Sequence, residues 1–326
     1  MTNDQAPAVD VVVCTRGRGD LIETTMASVR RSTYEDFVCW VVDQSDDDRT
    51  AQVVARHAAS DPRVRYLRVK SRGVGVARNE GLAAGHAPFV VFTDDDCDVT
   101  PGWLATMVRG LREQGAAAVF GRILPGPDPR PASALRGEPP SRALPMALKD
   151  TPMYRIYERS RLNLGFGHGA SMGFRRSCLE AIGGFDVLLG AGSPLRSWPE
   201  RDVGFRILKR GWRIIYDPEA LIYHLHWRSW PEMRRTYRDY AIGAGATVSK
   251  YLRCGDLAGL YILVEWLADQ GIRQVMSGLL KWRSRQKVIV GLLQLVYPWV
   301  GIAMSTRYGV DRERMLYMPR SDRATR

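Results

Sequence analysis

Four aspartates stand in five positions at Asp94-Asp95-Asp96-Cys97-Asp98, directly after the apolar run FVVFT at residues 89–93. In a parallel sheet, ligands bind beyond the carboxyl ends of the strands. Carboxylates crowded there repel one another unless a cation or a ligand donor compensates them. Their hard oxygens suit Mg2+ or Mn2+, often with substrate phosphates completing the coordination. A solvated turn whose acids cap the next helix would have the same local composition, so the companions of the cluster matter. One is Arg72-Gly-Val-Gly-Val-Ala-Arg78-Asn79, a glycine loop that opens a helix and carries two cations. Helix N-terminal amides bind anions, and arginine adds paired hydrogen bonds to a phosphate. As a dinucleotide fingerprint the loop fails: Arg78 takes the place of the third glycine, and the loop lies in the third strand–helix unit instead of the first.

Downstream the text reads Gly167-His-Gly-Ala-Ser-Met-Gly-Phe-Arg-Arg176, Gly183-Gly-Phe-Asp186, Glu200-Arg-Asp-Val-Gly-Phe-Arg206, Gly211-Trp212, Asp217-Pro218 and Tyr223-His-Leu-His226. In this order and spacing the sequence resembles the inverting family 2 glycosyltransferases of the GT-A fold, from Val9 to about Trp230. The resemblance implies a nucleoside-diphosphate-sugar donor and a divalent metal, Mn2+ or Mg2+. Thr15 and Arg16 match the loop that frames the base, and Asp43 matches the aspartate that accepts from a base ring nitrogen. Gly73, Arg78 and Asn79 match the stretch beside the nucleotide. Asp94-Asp95-Asp96 matches the DxD motif, with Asp94 and Asp95 toward the donor and Asp96 on the metal. His224 resembles the histidine that closes the metal–diphosphate site, with His226 as the other candidate. Anchored on Arg206 and Gly211, Glu200 stands where the family carries its catalytic base, and Pro199 replaces the preceding acid. Asp202 is the reserve base. His168, Gly169 and Trp198 are expected on the acceptor side.

These residues need a frame. Short β-branched runs at residues 9–14, 37–43, 64–69, 89–93 and 116–124 alternate with helical stretches. That alternation predicts an α/β fold with a mostly parallel sheet flanked by helices. A capping box is expected at Asp20 and Glu23, opening a helix to about Ser32. Residues 124–152 contain eight prolines and read as a long loop, with helix resuming at 151–163. A helix at 201–210 and a strand at 212–216 follow, and 230–306 reads as helical. The expected division is a catalytic domain over 1–235, with a nucleotide-sugar half to about 124 and an acceptor half from about 150. A helical extension, basic and apolar, then covers 236–326.

Charge separates the two parts. The chain carries 47 Lys+Arg against 35 Asp+Glu, a net +12. Residues 271–326 hold 11 basic and 3 acidic side chains, so +8 lies there and +4 in the first 270. Phosphorylated ligands, anionic membranes or nucleic acid would suit such a balance, but no nucleic-acid module is present. Residues 257–268 and 288–304 are apolar runs on either side of Lys281-Trp-Arg-Ser-Arg-Gln-Lys287. Basic and aromatic flanks suit a helix lying in an anionic leaflet. A soluble helical subdomain or a homo-oligomer interface is the other reading. Five scattered cysteines without CxxC spacing indicate a reducing compartment. No basic segment followed by an apolar run marks a secretory signal. The expectation is a cytoplasmic protein, peripheral on the cytosolic face of a membrane. The donor would be a UDP-sugar by default, with dTDP or GDP as alternatives, and the acceptor a saccharide or a lipid-linked glycan. A non-catalytic nucleotide-sugar or membrane-binding protein is the competing function.

Overall fold

The computed structural model describes residues 7–127, 148–225 and 228–319. β1 (Val9–Thr15) and β2 (Phe37–Asp43) are β-branched runs with inward positions fully covered, as a strand sandwiched between helices requires. β3 (Val64–Arg68) and β4 (Phe89–Asp94) complete a parallel set in the order β3-β2-β1-β4. The connecting helices are α1 (Gly19–Arg30), α2 (Arg49–Ser60) and α3 (Val74–Ala84). After β5 (Cys97–Val99) and α4 (Trp103–Arg112), β6 (Ala116–Pro125) continues the sheet. β8 (Ser171–Arg175) is inserted antiparallel between β4 and β6. β9 (Arg213–His224) runs parallel to β6, while β5 and β7 (Arg155–Tyr157) pair with it antiparallel. The expected mostly parallel α/β sheet flanked by helices, with a helical C-terminal extension, is the architecture found.

Several local expectations give way to longer-range pairing. The helix expected at 151–163 is instead β7, because Arg155–Tyr157 find a ladder on Tyr216–Ile214 of β9. The capping box at Asp20 does not form. The N-cap of α1 is Arg18 without a side-chain bond, and Glu23 turns away to His57, 2.9 Å, and Arg56, 3.1 Å. β9 runs eight residues past the expected strand end at Tyr216, carrying Asp217-Pro218 through a register shift opposite Gly121/Arg122. Most of the proline-rich loop lies outside the described residues.

α5 (Arg176–Ala181) and α6 (Pro199–Lys209) precede β9, and α7 (Trp230–Arg253) follows it. The domain boundary expected at 235 therefore falls inside α7. This helix opens with a complete capping box, Ser229 and Glu232, and Pro231 in its first turn. Its second half is buried: Tyr251 stacks on Phe205 of α6 at 3.8 Å between ring centroids. α8 (Ala258–Trp266), a wider π-type turn (Leu267–Ile272), α9 (Arg273–Met276) and a second π-type turn (Ser277–Lys281) form one arm of a helical hairpin. α10 (Arg285–Ser305) returns as the other arm and packs along α7. A small antiparallel pair, β10 (Gly309–Asp311) and β11 (Leu316–Met318), closes the described chain.

Candidate active site

The acid cluster sits where β4 ends and the chain reverses into β5 through Asp95 and Asp96. Cys14 of β1 pairs with Asp94, which brings the loop after β1 over the cluster. From that loop Arg18 donates through Nη1 to Asp95 Oδ1 at 2.7 Å and lies 3.6 Å from Asp96 Oδ2. Asp95 and Asp96 are both buried. Burial pushes the Asp95 carboxyl up to about 6; Arg18 opposes the shift and Asp96 adds to it. Among the described residues Asp95 Oδ2 has no hydrogen-bond partner. His224 ends β9, and the pairing of β9 with β5 puts it opposite Cys97. Its Nε2 is 3.4 Å from Asp96 Oδ1. One ligand atom each from Asp96, Cys97 and His224 lie within 4.8 Å of one another, a candidate cation group. Burial, with Asp96 and Asp94 nearby, holds the Cys97 thiol well above its ordinary pKa. For a hard divalent cation the carboxylate and imidazole are the better donors.

The glycine loop is built as the text suggested. Gly73, at φ +113, caps α3, and an added Cβ would strike Ser193 Oγ. Gln44 Nε2 holds the loop by donating to the carbonyls of Ser71 at 2.6 Å and Gly73 at 3.2 Å. Arg78, one turn into α3, reaches Asp94 Oδ1 and the Gly169 carbonyl, both at 3.4 Å. Its Nη1 is buried without a hydrogen-bond partner among the described residues. A guanidinium so placed is ready for an anion.

Across the cleft, α6 starts at Trp198, which adopts a left-handed conformation, φ +73. For a bulky side chain that is a strained backbone, held here by packing. Trp198 meets Trp266 edge-on at 5.2 Å and Arg201 lies over its ring at 5.3 Å. Pro199 occupies the first turn, where a missing N–H costs nothing. Glu200 follows and faces the cleft; among the described residues it makes no hydrogen bond or ion pair. His168 forms the wall between, and burial, with Arg201, Lys149 and His224 nearby, lowers its pKa to about 3. It is neutral at physiological pH.

One cleft of about 470 Å³ gathers Thr15, Arg16, Gly73, Arg78, Asp94, Asp95, Asp96, His168, Gly169, Trp198, Glu200 and His224. Three expected site residues are absent from its wall. Asp43 is fully buried and accepts from the Ser45 amide and the Tyr66 hydroxyl, both at 2.8 Å. Asn79 clamps the Phe185 backbone, donating to its carbonyl and accepting from its amide at 2.9 Å each. Asp202 has no exposure; it binds Arg206 Nε at 2.9 Å and Lys250 Nζ at 2.6 Å. His226 lies outside the described residues. The sequence reading assigned no role to Arg18 and Gln44, nor to Arg228, Thr236, Asp239, Tyr240 and Trp266, which bring the C-terminal helices into the cleft wall. Burial pushes the Tyr240 hydroxyl up to about 12, so it stays a neutral donor.

The description "Glycosyl transferase family 2" matches residues 10–183, more than half of the chain. The chain belongs to glycosyl transferase family 2. Among its relatives, the GalNAc(5)-diNAcBac-PP-undecaprenol beta-1,3-glucosyltransferase of Campylobacter jejuni is 32% identical over 120 residues. That match covers 36% of this chain and 38% of the relative, so the chain spans little more than a third of that relative's length. The mannosyltransferase PcManGT from Pyrobaculum calidifontis, solved with GDP-Man and Mn2+, superposes with a TM-score of 0.57 at 18% identity, over 93% of this chain and 88% of that one. S. aureus TarS 1-349 in complex with UDP gives 0.50 at 18% identity, over 72% and 65%. At these identities the structural likenesses establish the shared GT-A fold.

Proposed function

We propose that the chain moves a sugar from a nucleoside-diphosphate donor to an acceptor hydroxyl with inversion, and that Glu200 is the base. The observation that carries this reading is the shared cleft: Glu200, without a protein partner among the described residues, opens onto the same space as Asp94, Asp95, Asp96 and Arg78. Arg78 and the N-terminus of α3 would receive the diphosphate, and Thr15 and Arg16 would frame the base. Glu200 would take the proton from the acceptor oxygen as that oxygen bonds to the anomeric carbon and the bond to the diphosphate breaks. A positioned base contributes roughly 10²–10⁴-fold, and one displacement without a covalent intermediate inverts the centre. Neutral His168 and the Trp198 ring would bound the acceptor.

The donor set fits a divalent cation. Asp95 Oδ2 is a buried oxygen without a partner among the described residues, and Asp96 and His224 offer a carboxylate and an imidazole beside it. Asp96 and His224 would hold Mn2+ or Mg2+, which supplies Lewis-acid stabilisation of the departing diphosphate when bound. UDP is the default donor nucleotide. GDP and dTDP follow, GDP being supported by the GDP-Man in the mannosyltransferase neighbour. The undecaprenol-linked substrate in the Campylobacter relative's name supports a lipid-linked acceptor, for which the chain would work at the cytosolic membrane face; a soluble saccharide is the simpler alternative.

The test is a panel of nucleotides with Mn2+, read first as a rise in melting temperature and then as donor hydrolysis. One nucleotide is expected to stabilise the fold, since ligand binding to the native state must do so, and its sugar donor to be slowly hydrolysed. Absence of any nucleotide shift would overturn the reading. Binding without turnover, unchanged in Glu200→Gln, would make this a nucleotide-sugar-binding protein instead.

A further inference from the structure

The hairpin of residues 258–305 leaves many large apolar side chains exposed on both arms. Leu257, just before the first arm, and Leu280, at its end, are 76% and 73% exposed, with Leu260 and Val264 also open. On the second arm Val296 and Trp299 stand out in the same way, at 56% and 54%. Large apolar side chains exposed in such number along one pair of packed helices mark an interaction face. The turn that joins the arms is cationic: Lys281, Arg283, Arg285 and Lys287 fall within seven residues that contain no acid. Trp282 is exposed among them, with Lys287 Nζ 4.2 Å from its ring centroid. Arg234 and Arg235 of α7 lie exposed beside the second arm, next to Ile289, and have no acidic partner among the described residues.

α10 is the one described helix long and apolar enough to cross a membrane. Its packing ties one face to α7. Gln294 Nε2 donates to the Tyr237 carbonyl of α7 at 2.9 Å, and Ser305 Oγ donates to Ser249 Oγ at 2.8 Å. Gly245 and Gly301 let the two backbones touch, at Pro298 and Ile242. α7 alongside carries Arg234, Arg235, Arg238 and Asp239, which could not follow α10 into hydrocarbon at a tolerable cost. One face of α10 is therefore committed to the protein and the other is free.

We propose that this hairpin is an in-plane docking face for an anionic lipid bilayer, its apolar arms lying in the headgroup boundary and its cationic turn on the acidic lipids. The charge decides the occupant. A second copy would bring the same cations against themselves, whereas acidic headgroups complement them. The proposal deepens the reading of a transferase working at a membrane face. Trp266, at the end of α8, both belongs to the hairpin arm and lines the cleft against Trp198, so docking brings the cleft to the bilayer.

The test is sedimentation of the full chain with preformed vesicles of phosphatidylcholine alone or with a third phosphatidylglycerol. Binding is expected to the acidic vesicles and to fall steeply with salt. Lys281→Ala with Arg285→Ala should weaken it about twenty-five-fold, at roughly fivefold per cation near a surface. Leu280→Asp with Trp299→Asp should abolish it while the circular dichroism spectrum and melting midpoint stay within the native range. No step of this test depends on turnover, so an inactive protein that binds vesicles would sink the transferase reading alone. A chain left in the supernatant with acidic vesicles overturns the proposal. So does a stable dimer in solution that Leu280→Asp dissociates.

Discussion

Lys250→Met is the most demanding test of how the cleft is held. Lys250 lies on α7 with no exposure, its Nζ 2.7 Å from Asp186 Oδ2 and 2.6 Å from Asp202 Oδ1. Asp186 also accepts from the amides of Leu188 at 3.0 Å and Tyr317 at 2.9 Å. Asp202 also binds Arg206, whose other nitrogens donate to the carbonyls of Ile182 at 2.6 Å and Gly184 at 2.7 Å. Two carboxylates thus face two cations, and the buried group is neutral. Methionine fills much of the lysine stem's volume but leaves two buried carboxylates with one guanidinium. Breaking such a group from one side costs about 3–5 kcal/mol, a large share of a typical total of about 5–15 kcal/mol. Urea unfolding followed by circular dichroism and tryptophan fluorescence measures it. The double variant Lys250→Met with Asp202→Asn should recover part of the loss, because one charge of each sign has then gone. A single variant within about 1 kcal/mol of the parent, or a double variant less stable than the single, would refute the reasoning.

Three further outcomes follow from the same geometry. Glu200→Gln should lower turnover about 10²–10⁴-fold with an unchanged unfolding midpoint, whereas Asp202→Asn should lose stability; the reverse pattern would return Asp202 to the role of base. For Asp256, burial alone would raise the carboxyl, but hydrogen bonds from Arg161 and Lys209 bring it down to about 2. Its contribution is therefore full above the unfolded value near 3.8 and lost as pH falls toward 2. Asp256→Asn should flatten the parent's acid limb in a pH series of urea midpoints, and identical limbs would contradict the assignment. Arg18→Ala removes the cation nearest Asp95, so Mn2+ alone should bind more tightly by calorimetry, while nucleotide binding with Mn2+ weakens; tighter binding in neither case would refute a charge-compensating role.

What could be read beforehand was local in character. The runs at 9–14 and 37–43 became β1 and β2 almost to the residue, because a covered strand is written in consecutive β-branched side chains. The acid cluster and glycine loop were legible because both sit at element ends whose chemistry is contiguous. Asn79 was not, since its partner Phe185 is 106 positions away and an asparagine near a phosphate loop looks the same whichever way it turns. Asp202 was ambiguous for a similar reason. Only the arrival of Lys250 from α7 distinguishes a buried structural carboxylate from a base two residues earlier. Residues 151–163 had enough helix formers to suggest a helix, and the edge of β9 outweighed that preference.

The C-terminal helices are consequently more than a charged appendage to the sheet. Their excess basicity has two destinations. One lysine goes inward, where Lys250 shares with Arg206 the compensation of Asp186 and of Asp202, two residues from Glu200, and four cations, Lys281, Arg283, Arg285 and Lys287, gather at the hairpin turn. The same helices place Tyr240 and Trp266 in the cleft wall, and β11 places the Tyr317 amide on Asp186. A chain cut at 235 would leave two buried carboxylates without their lysine, strip Tyr251 from Phe205 and open the acceptor side of the cleft. Such a fragment should therefore lose the orientation of α6 along with the hairpin. Restoring the hairpin in trans could not repair it, because α7, which carries Lys250, is one uninterrupted helix across the cut.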